Sequence, residues 1–443
     1  MRRVVRPDRA TTLALAVALA AVPAGAAHAA GWTAVSGLIP GTASDAALDG
    51  PRVLVTSISG RSVVVSTIAA DRVALRQTVT TAGRLGAVRR LQVVRLGGGR
   101  ALAVWQEAGA IRAALRQTPG DRFGPARTVS WFPGAATGAA RHPAVGVTSA
   151  GEPVVAWWGG PAGGRLGVQA SAMAPGGAWA PPVEVSAGTY PQLPPGAPPR
   201  LGIDVAGDPA GGVAVVWRQP AAAGETVMGA VRAADGTWVG PAALGSGPVG
   251  SAGPSAAAPA PGELLAAWPE DRGGRACAVA AALRATAVTR DDLVCRDGAV
   301  AGSVRVTATP GGGAIAAAAF RPADPSQGGA YVEVAARGAT GAWTPSALAI
   351  ARAGDVAGPV TATAGRSAVA ASVARGVQFN RLRVALVGAD GAVGRRIDGP
   401  TRPTPPPRTG VRVLPLGPGA RVVLLLTPAP ALRSWRPSIL TLG

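Results

Sequence analysis

Lysine, histidine and cysteine are the residues that this 443-residue chain lacks or nearly lacks. The absence of lysine excludes a phosphate-binding P-loop, because that motif needs its lysine. Histidine occurs only as His28 and His142, so a multi-histidine metal site is excluded and a Ser-His-Asp triad would have to use His142. The two cysteines form no C-x-x-C motif, which excludes a zinc ribbon or an iron–sulfur site. We therefore expect no metal, no cofactor and no histidine-dependent catalysis.

Acidic residues are also scarce, since 23 Asp and Glu stand against 43 Arg and the formal net charge is +20. A charge of this size is typical of nucleic-acid-binding proteins. The arginines, however, are dispersed along the chain, with no run longer than pairs such as Arg89-Arg90. We interpret them as solvated surface residues and expect no nucleic-acid partner, while anionic polymers of the cell envelope stay open as ligands.

The N-terminal segment has the three parts of a secretory signal peptide. Residues 1–9 carry four arginines, Thr11 to Val22 is a short apolar run, and residues 27–29 fit a cleavage site near Ala29. Neither this run nor any later one is long enough to span a membrane. We predict a signal peptide over residues 1–29 and an exported domain over residues 30–443. In an oxidising compartment Cys277 and Cys295 should form a disulfide, with two free thiols as the alternative.

A pattern of a Gly turn, an apolar run and a Trp recurs along the rest of the chain. The clear copies are Gly99–Trp105, Gly151–Trp157, Gly211–Trp217 and Gly262–Trp268, and weaker copies end at Phe320, Ser372 and Leu426. The clear copies end 52, 60 and 51 residues apart. An earlier copy, Gly60–Ser66, precedes the first Trp of the series by only 39 residues and brings the count to eight.

Each copy contains four strand-sized pieces. In the unit around Trp217 these pieces are separated by Gly-rich turns and by the hairpin signal Asp235-Gly236. The second piece, Val213–Trp217, is apolar at every position, which indicates that both of its faces are covered. Four-stranded sheets covered on both faces by neighbouring copies are typical of a β-propeller. We predict an all-β fold, a single β-propeller of about eight four-stranded blades, with seven as the alternative. Helical patterning is nearly absent, with at most one turn at Ser44–Leu48.

The two ends of this domain complement each other. Gly31–Ser36 is similar to a fourth strand, because its Trp32 corresponds to Trp343 of an inner unit. The last unit, in contrast, stops after a third strand at Ser434–Leu442. We therefore expect the N-terminal strand to complete the last blade and close the ring, which removes open sheet edges.

Two short motifs resemble those of a known family. Asp235–Trp238 (Asp-Gly-Thr-Trp) resembles the Asp-box, or neuraminidase repeat, of sialidase-like β-propellers, and Phe320-Arg321-Pro322 resembles their aromatic-Arg-x-Pro motif with one residue fewer. The resemblance implies the propeller fold. For a sialidase-like glycoside hydrolase it further implies three arginines on the substrate carboxylate and a tyrosine nucleophile paired with a glutamate. The tyrosines available for that role are Tyr190 and Tyr331.

The ligand site is expected on the loops of one face. In a propeller, the loops between blades and those between second and third strands share a face, and loops commonly carry binding residues. The residues that we expect to bind ligand there are Trp131, Phe132, Tyr190, Arg218, Glu107, Glu270 and Arg321. Aromatic rings on such loops can stack on sugars while charged groups bind their polar groups. The alternative for Trp131 and Phe132 is to plug the mouth of the channel. We interpret His142 as a structural loop residue and assign no catalytic residue.

Three functions are compatible with these features. The first is a monomeric, exported, non-catalytic binding or scaffold protein whose ligand is a glycan or an anionic envelope polymer. The second, the alternative, is a sialidase-like glycoside hydrolase. The third is a surface protein retained by anionic envelope polymers. Alanine-rich strands with sparse polar side chains favour the first.

Overall fold

The described secondary structure consists almost wholly of strands. The computed structural model describes residues 31–442 except for 84–86, 135–138, 163–165, 187–201, 222–223, 247–252, 285–286, 310, 325, 327–329, 340, 346, 352–354, 357–359, 365–366, 376–378, 389, 404–409, 417–419 and 430–433. Apolar, β-branched and alanine-rich runs separated by Gly turns give these residues their strand character. A single 3-10 turn, Gly97–Gly99, is the one helical element of the described chain.

The strands follow one another in groups of four. Two strands precede the first group: β1 (Gly31–Ala34) and β2 (Ile39–Pro40). Blade 1 contains β3 (Thr42–Asp49), β4 (Arg52–Ser59), β5 (Ser62–Ala69) and β6 (Arg72–Thr81). Blade 2 contains β7 (Val88–Arg95), β8 (Ala101–Glu107), β9 (Ala110–Arg116) and β10 (Arg127–Thr128). Blade 3 contains β11 (Arg141–Val147), β12 (Pro153–Gly159), β13 (Gly167–Ala172) and β14 (Val183–Glu184). Blade 4 contains β15 (Ile203–Gly207), β16 (Val213–Ala221), β17 (Gly224–Arg232) and β18 (Trp238–Ser246).

The second half of the chain repeats this arrangement. Blade 5 contains β19 (Ser255–Ala257), β20 (Glu263–Asp271), β21 (Arg275–Arg284) and β22 (Ala287–Asp297). Blade 6 contains β23 (Ala299–Ala308), β24 (Ala314–Pro322), β25 (Tyr331–Arg337) and β26 (Ala347–Ala351). Blade 7 contains β27 (Asp355–Val356), β28 (Val360–Ala364), β29 (Ser367–Arg375), β30 (Phe379–Gly388) and β31 (Val393–Pro403). Blade 8 contains β32 (Gly410–Leu416), β33 (Ala420–Ala429) and β34 (Ser434–Leu442).

Each blade is an antiparallel sheet in which strands pair in chain order. In blade 7 the first position is shared by β27 and β28, which both pair with β29. The first strands of successive blades contact one another all the way round, including β32 of blade 8 with β3 of blade 1. The fold is therefore an eight-bladed β-propeller, as the repeat count predicts, and the seven-bladed alternative is wrong.

The N-terminal strand completes the last blade. β1 pairs antiparallel with β34 in the register Gly31↔Thr441, Trp32↔Leu440, Thr33↔Ile439 and Ala34↔Ser438. The sheet order β1-β34-β33-β32 makes β1 the outermost, fourth strand of blade 8. The expected pairing of the two ends is thus confirmed, and it covers an edge that would otherwise present unpaired backbone groups.

Buried aromatic residues fill the spaces between blades. Trp105, Trp157, Trp217 and Trp268 are fully buried on second strands, and each packs in a cluster with the blade that precedes its own. Phe320 holds this place in blade 6. Both faces of the second strands are covered, which explains why these strands are apolar at every position.

In blade 1 the second strand does not lie where the sequence pattern predicts it. Gly60–Ser66 falls on the turn before the third strand and on that strand itself, β5, whereas the second strand is β4. The alternation of inward-facing residues places Ser57 where blades 2 to 5 carry Trp, and Trp435 of blade 8 supplies the bulk in that cluster. The predicted copy Gly60–Ser66, with its short spacing of 39 residues, is therefore wrong by one strand. Ser44–Leu48 is also strand, within β3, rather than a helical turn.

Blade 5 contains the predicted disulfide. Cys277 on β21 is bonded to Cys295 on β22, the third and fourth strands, where the two residues are register partners. The Cα atoms are 4.1 Å apart. In the described part of the chain, no helix has the length and apolar character of a membrane span.

Candidate functional site in the central channel

A cavity of 450 Å³ lies at the centre of the ring. Its walls come from five consecutive blades, 2 to 6, and its lining residues lie on their first strands or directly before them. These residues are Arg90, Gln92, His142, Pro143, Gly202, Ile203, Asp204, Gly253, Pro254 and Arg305. First strands begin at the inter-blade loops, and most of the lining residues lie at or just before those beginnings. The lining therefore lies towards the loop face on which the ligand site is expected.

Two lining residues lie at matching β-bulges of adjacent blades. The pairing of β7 with β8 shifts between Arg89 and Gln92, and that of β11 with β12 shifts between Arg141 and Ala144. Within these bulges Arg90 and His142 have φ values of 53° and 52°. Such a backbone is unfavourable for residues other than glycine, and bulges re-aim side chains next to functional sites. Here both bulged residues line the cavity.

Blade 2 holds the bulge of blade 3 in place. The Gln106 side chain accepts a hydrogen bond through Oε1 from the backbone N–H of His142 at 3.2 Å. The Gln92 side chain donates from Nε2 to the carbonyl of Pro143 at 3.2 Å. One residue before the strand, the Ala140 N–H donates to the Gly109 carbonyl at 2.6 Å. Three hydrogen bonds from one neighbour therefore fix the strained segment that presents His142.

Asp204 brings a carboxylate to the same cavity. Its Oδ2 accepts from the Ala256 N–H of blade 5 at 3.0 Å, and its Oδ1 accepts from the Val205 N–H at 3.0 Å. Burial raises the pKa of Asp204 above its usual value, while Arg305, these two N–H groups and the Ser255 hydroxyl oppose the rise. The carboxylate thus joins blades 4 and 5 and remains half-buried at the cavity wall.

Positive charge dominates the lining. Arg90 is exposed to the cavity and Arg305 is half-buried, and neither forms an ion pair with a carboxylate of the described chain. Asp204 is the one carboxylate among the described lining residues. A guanidinium group presents a planar set of donors that matches carboxylate and sulfate oxygens. The described residues contain no group of three or more His, Cys, Asp or Glu able to hold a metal ion. The cavity is therefore suited to an anion.

Three of the residues predicted to bind ligand are occupied by contacts within their own blades. Glu107 at the end of β8 accepts a hydrogen bond from the Trp105 indole at 2.9 Å. Glu270 on β20 is buried and forms ion pairs with Arg272, at 3.0 Å, and Arg290. Arg218 on β16 is buried, with its Nε 3.4 Å from a Glu225 carboxylate oxygen.

The other predicted residues lie nearer the solvent. Trp131 is 37% exposed and Phe132 is half-buried, directly after Ser130, whose Oγ accepts from the Ile111 N–H at 3.0 Å. Arg321 is exposed on β24. Tyr190 lies outside the described residues. Of the described members of the predicted set, none lines the cavity.

The cavity residues left a weak signal in the sequence. Asp204 is the one charged residue of the otherwise uncharged β15, and an isolated carboxylate in a half-buried strand needs hydrogen-bond partners. Arg90 belongs to the pair Arg89-Arg90, and the dispersed arginines of the sequence were expected to be solvated surface residues. His142 lies on β11 and not in the preceding loop where the sequence places it.

Comparison with known proteins finds likeness in structure alone. No protein-family model matches the sequence, and no curated protein matches it. A polysaccharide lyase of family PL25, an ulvan lyase bound to a GlcA-containing saccharide, is similar with a TM-score of 0.53 and 8% identity, over 92% of this chain and 94% of that chain. A second structure of a PL25 ulvan lyase is similar with a TM-score of 0.51 and 8% identity, over 91% and 94%. A Hadza microbial sialidase, Hz136, has a TM-score of 0.38 and 15% identity, over 78% and 73%. At these identities the likeness concerns the fold alone. The propeller fold that the Asp-box-like turn implies is confirmed by the eight sheets of this structure.

Proposed function

We propose that this protein is an exported, non-catalytic β-propeller that binds an acidic glycan, with one anionic sugar unit held in the central cavity. The observation that carries the proposal is the cavity itself. It is large enough for a sugar ring and presents Arg90 and Arg305, two guanidinium groups with no ion-pair partner in the described chain, together with His142. Glycan-related propellers with this fold include a lyase bound to a GlcA-containing saccharide.

Binding without hydrolysis fits the carboxylates that are present. Glycosidases of the usual kind need two carboxyl groups about 5–9.5 Å apart. The described lining residues supply Asp204 alone. Tyr331, a candidate sialidase nucleophile, lies on β25 with its ring stacked on Phe320 at 5.8 Å between centroids, which is a packing role. The glycoside hydrolase reading therefore finds no support among these side chains.

The disulfide supports the export part of the proposal. Stable disulfides are typical of oxidising, extracytoplasmic compartments. Residues 1–29, which the sequence indicates as a signal peptide, would be removed there, and residues 30–443 would form the exported propeller. An acidic glycan in that compartment could belong to the cell's own envelope or come from outside it.

The test is a calorimetric titration with two oligosaccharides that differ only in charge. The first is cellotetraose and the second is its counterpart with glucuronate in place of each glucose. We expect the acidic tetramer to bind and the neutral one to bind at least tenfold more weakly, since a charge-assisted hydrogen bond contributes about 1.5–3 kcal/mol. Arg90→Gln and Arg305→Gln should each weaken binding of the acidic tetramer about tenfold or more.

Two controls separate the cavity from general surface charge. Arg395 is exposed on the outer strand of blade 7, so Arg395→Gln makes the same charge change away from the channel and should leave affinity unchanged. Arg321→Gln distinguishes the loop site expected from sequence, because loss of binding in that variant alone would move the site out of the cavity. Equal affinity for both tetramers would refute an anion site. Release of unsaturated or shortened products during the titration would refute the non-catalytic role.

A further inference from the structure

Asp204 is placed where a bound anion would change its charge. Its carboxylate lies in the wall of the same cavity as Arg90, His142 and Arg305, and it already bears the desolvation of a partly buried site. An anionic ligand would displace water from the cavity and bring a second negative charge to it. Both changes favour the neutral form of a carboxyl group.

Charged and polar groups of blades 2, 3, 5 and 6 share the cavity with Asp204 or contact its carboxylate. Among the described residues, blade 2 contributes Arg90 on β7, blade 3 contributes His142 on β11, and blade 6 contributes Arg305 on β23. Blade 5 contributes the Ser255 hydroxyl and the Ala256 N–H, both on β19.

Within blade 4 the facing strand adds no free charge. On β16, the one charged side chain is that of Arg218, which is buried and ion-paired with Glu225. Asp204 therefore shares the cavity with three basic groups and with no second described carboxylate, and Arg305 is the one of the three that acts on its pKa.

We propose that anion binding in the channel is coupled to the uptake of one proton by Asp204. This inference rests on the proposed function and deepens it. The proton comes from solvent and binds a carboxylate oxygen of Asp204, and no other bond forms or breaks. The neutral carboxyl can then donate a hydrogen bond to the ligand, and the lining keeps the full positive charge of both arginines. The consequence is a site that holds acidic glycans more tightly at lower pH.

The chain supplies a matched control in blade 1. Asp45 on β3 corresponds to Asp204, since its Oδ2 accepts from the N–H of the next blade's first strand, at Val93, at 3.0 Å. Its pairing register, Asp45↔Thr56, also matches Asp204↔Val216. Asp45 does not line the cavity. Asp45→Asn therefore repeats the same chemical change at an equivalent inter-blade bond without touching the site.

The experiment measures protons taken up as the glucuronate tetramer binds. Wild-type protein is titrated by calorimetry at one pH in buffers of different ionisation enthalpy, and then across a pH series. We expect proton uptake to approach one per ligand between the pKa of Asp204 in the free protein and its higher pKa in the complex, with affinity falling by up to about tenfold per pH unit across that window and becoming independent of pH above it. Ser255→Ala removes a group that favours the carboxylate, so it should move this dependence to higher pH.

The variants assign the proton. Asp204→Asn should bind the tetramer with no proton uptake and with little dependence on pH, whereas Asp45→Asn should behave as wild type. If wild type binds the acidic tetramer without proton uptake, the inference is wrong while the proposed function stands. If uptake persists in Asp204→Asn but disappears in His142→Gln, the proton acceptor is His142 and the inference is again wrong. Absence of binding in wild type would instead overturn the proposed function itself.

Discussion

A buried ion pair between blades 1 and 2 gives a sharp test of how the ring is held together. Arg116 at the end of β9 donates to both carboxylate oxygens of Asp49 at the end of β3, at 3.0 and 2.6 Å. Both side chains are 2% exposed. Arg116 also lies over the Phe123 ring at 5.8 Å and donates to the Gly99 carbonyl at 3.3 Å.

Removing one partner should cost much more than removing both. Arg116→Met keeps most of the side-chain volume but leaves the Asp49 carboxylate buried without its counter-charge. Breaking a buried pair in this way costs about 3–5 kcal/mol, whereas replacing both partners by apolar groups is often close to neutral. We therefore expect Arg116→Met to destabilise the protein by about 3–5 kcal/mol, and the double variant with Asp49→Leu to recover most of that loss.

Equilibrium urea unfolding followed by tryptophan fluorescence measures these differences. A surface pair supplies the control, because Arg275 and Asp297 are 59% and 88% exposed and 3.5 Å apart. Arg275→Met should change the free energy of unfolding by no more than about 1 kcal/mol. A cost below about 1 kcal/mol for Arg116→Met would contradict the reasoning. So would a double variant whose loss equals the sum of the two single losses.

Three further predictions concern the ring and its charges. Changing Trp32 to Ala should lower the stability by about 2–3 kcal/mol, because its indole is half-buried. Deleting residues 31–34 should also lower stability and should promote association on gel filtration. Unchanged melting and a monomeric profile after the deletion would contradict closure. Changing Cys277 and Cys295 together to Ala should lower the free energy of unfolding by roughly 3 kcal/mol, measured by thermal or urea unfolding. An unchanged free energy of unfolding would show that the disulfide does not contribute to stability. Burial raises the pKa of Asp204 above 3.8, so the folded state binds this proton more tightly than the unfolded chain does. The stability of wild type relative to Asp204→Asn should therefore fall as the pH rises through that raised pKa. A difference in melting temperature between the two proteins that stays constant with pH would contradict this prediction.

The sequence predicts the blades best where Trp marks the second strand. In the unit around Trp217 the second strand begins at Val213 as expected, and the hairpin between β17 and β18 contains Asp235-Gly236, since a Gly turn, an apolar run and an Asp-Gly pair each dictate local backbone geometry. In blade 1 this marker is missing, because Ser57 stands in its place and Trp435 from the far end of the chain fills the space. A local pattern cannot show that bulk is supplied by another blade, so the repeat was aligned one strand too late.

The site was harder to predict for a different reason. The cavity is built from one to three residues of each of five blades, far apart in sequence, and two of these residues lie in bulges. A bulge reverses the alternation that distinguishes inward-facing from outward-facing residues. Neither Arg90 nor His142 is a glycine, so the sequence does not predict a positive φ at these positions. Loop aromatics such as Trp131 fit a general expectation about binding surfaces, and the structure places them away from this cavity.

The pairing of β1 with β34 has a consequence for how the protein is made. Synthesis from the N-terminus delivers one side of this seam first and the other side last. Until the final residues arrive, β1 has no partner, and a prematurely ended chain could never cover it. An unpaired strand and an open sheet edge are complementary whether or not they belong to the same molecule. Two copies that open at this seam could therefore exchange their first strands, each completing the other's eighth blade, and dilution during folding would favour the separate rings.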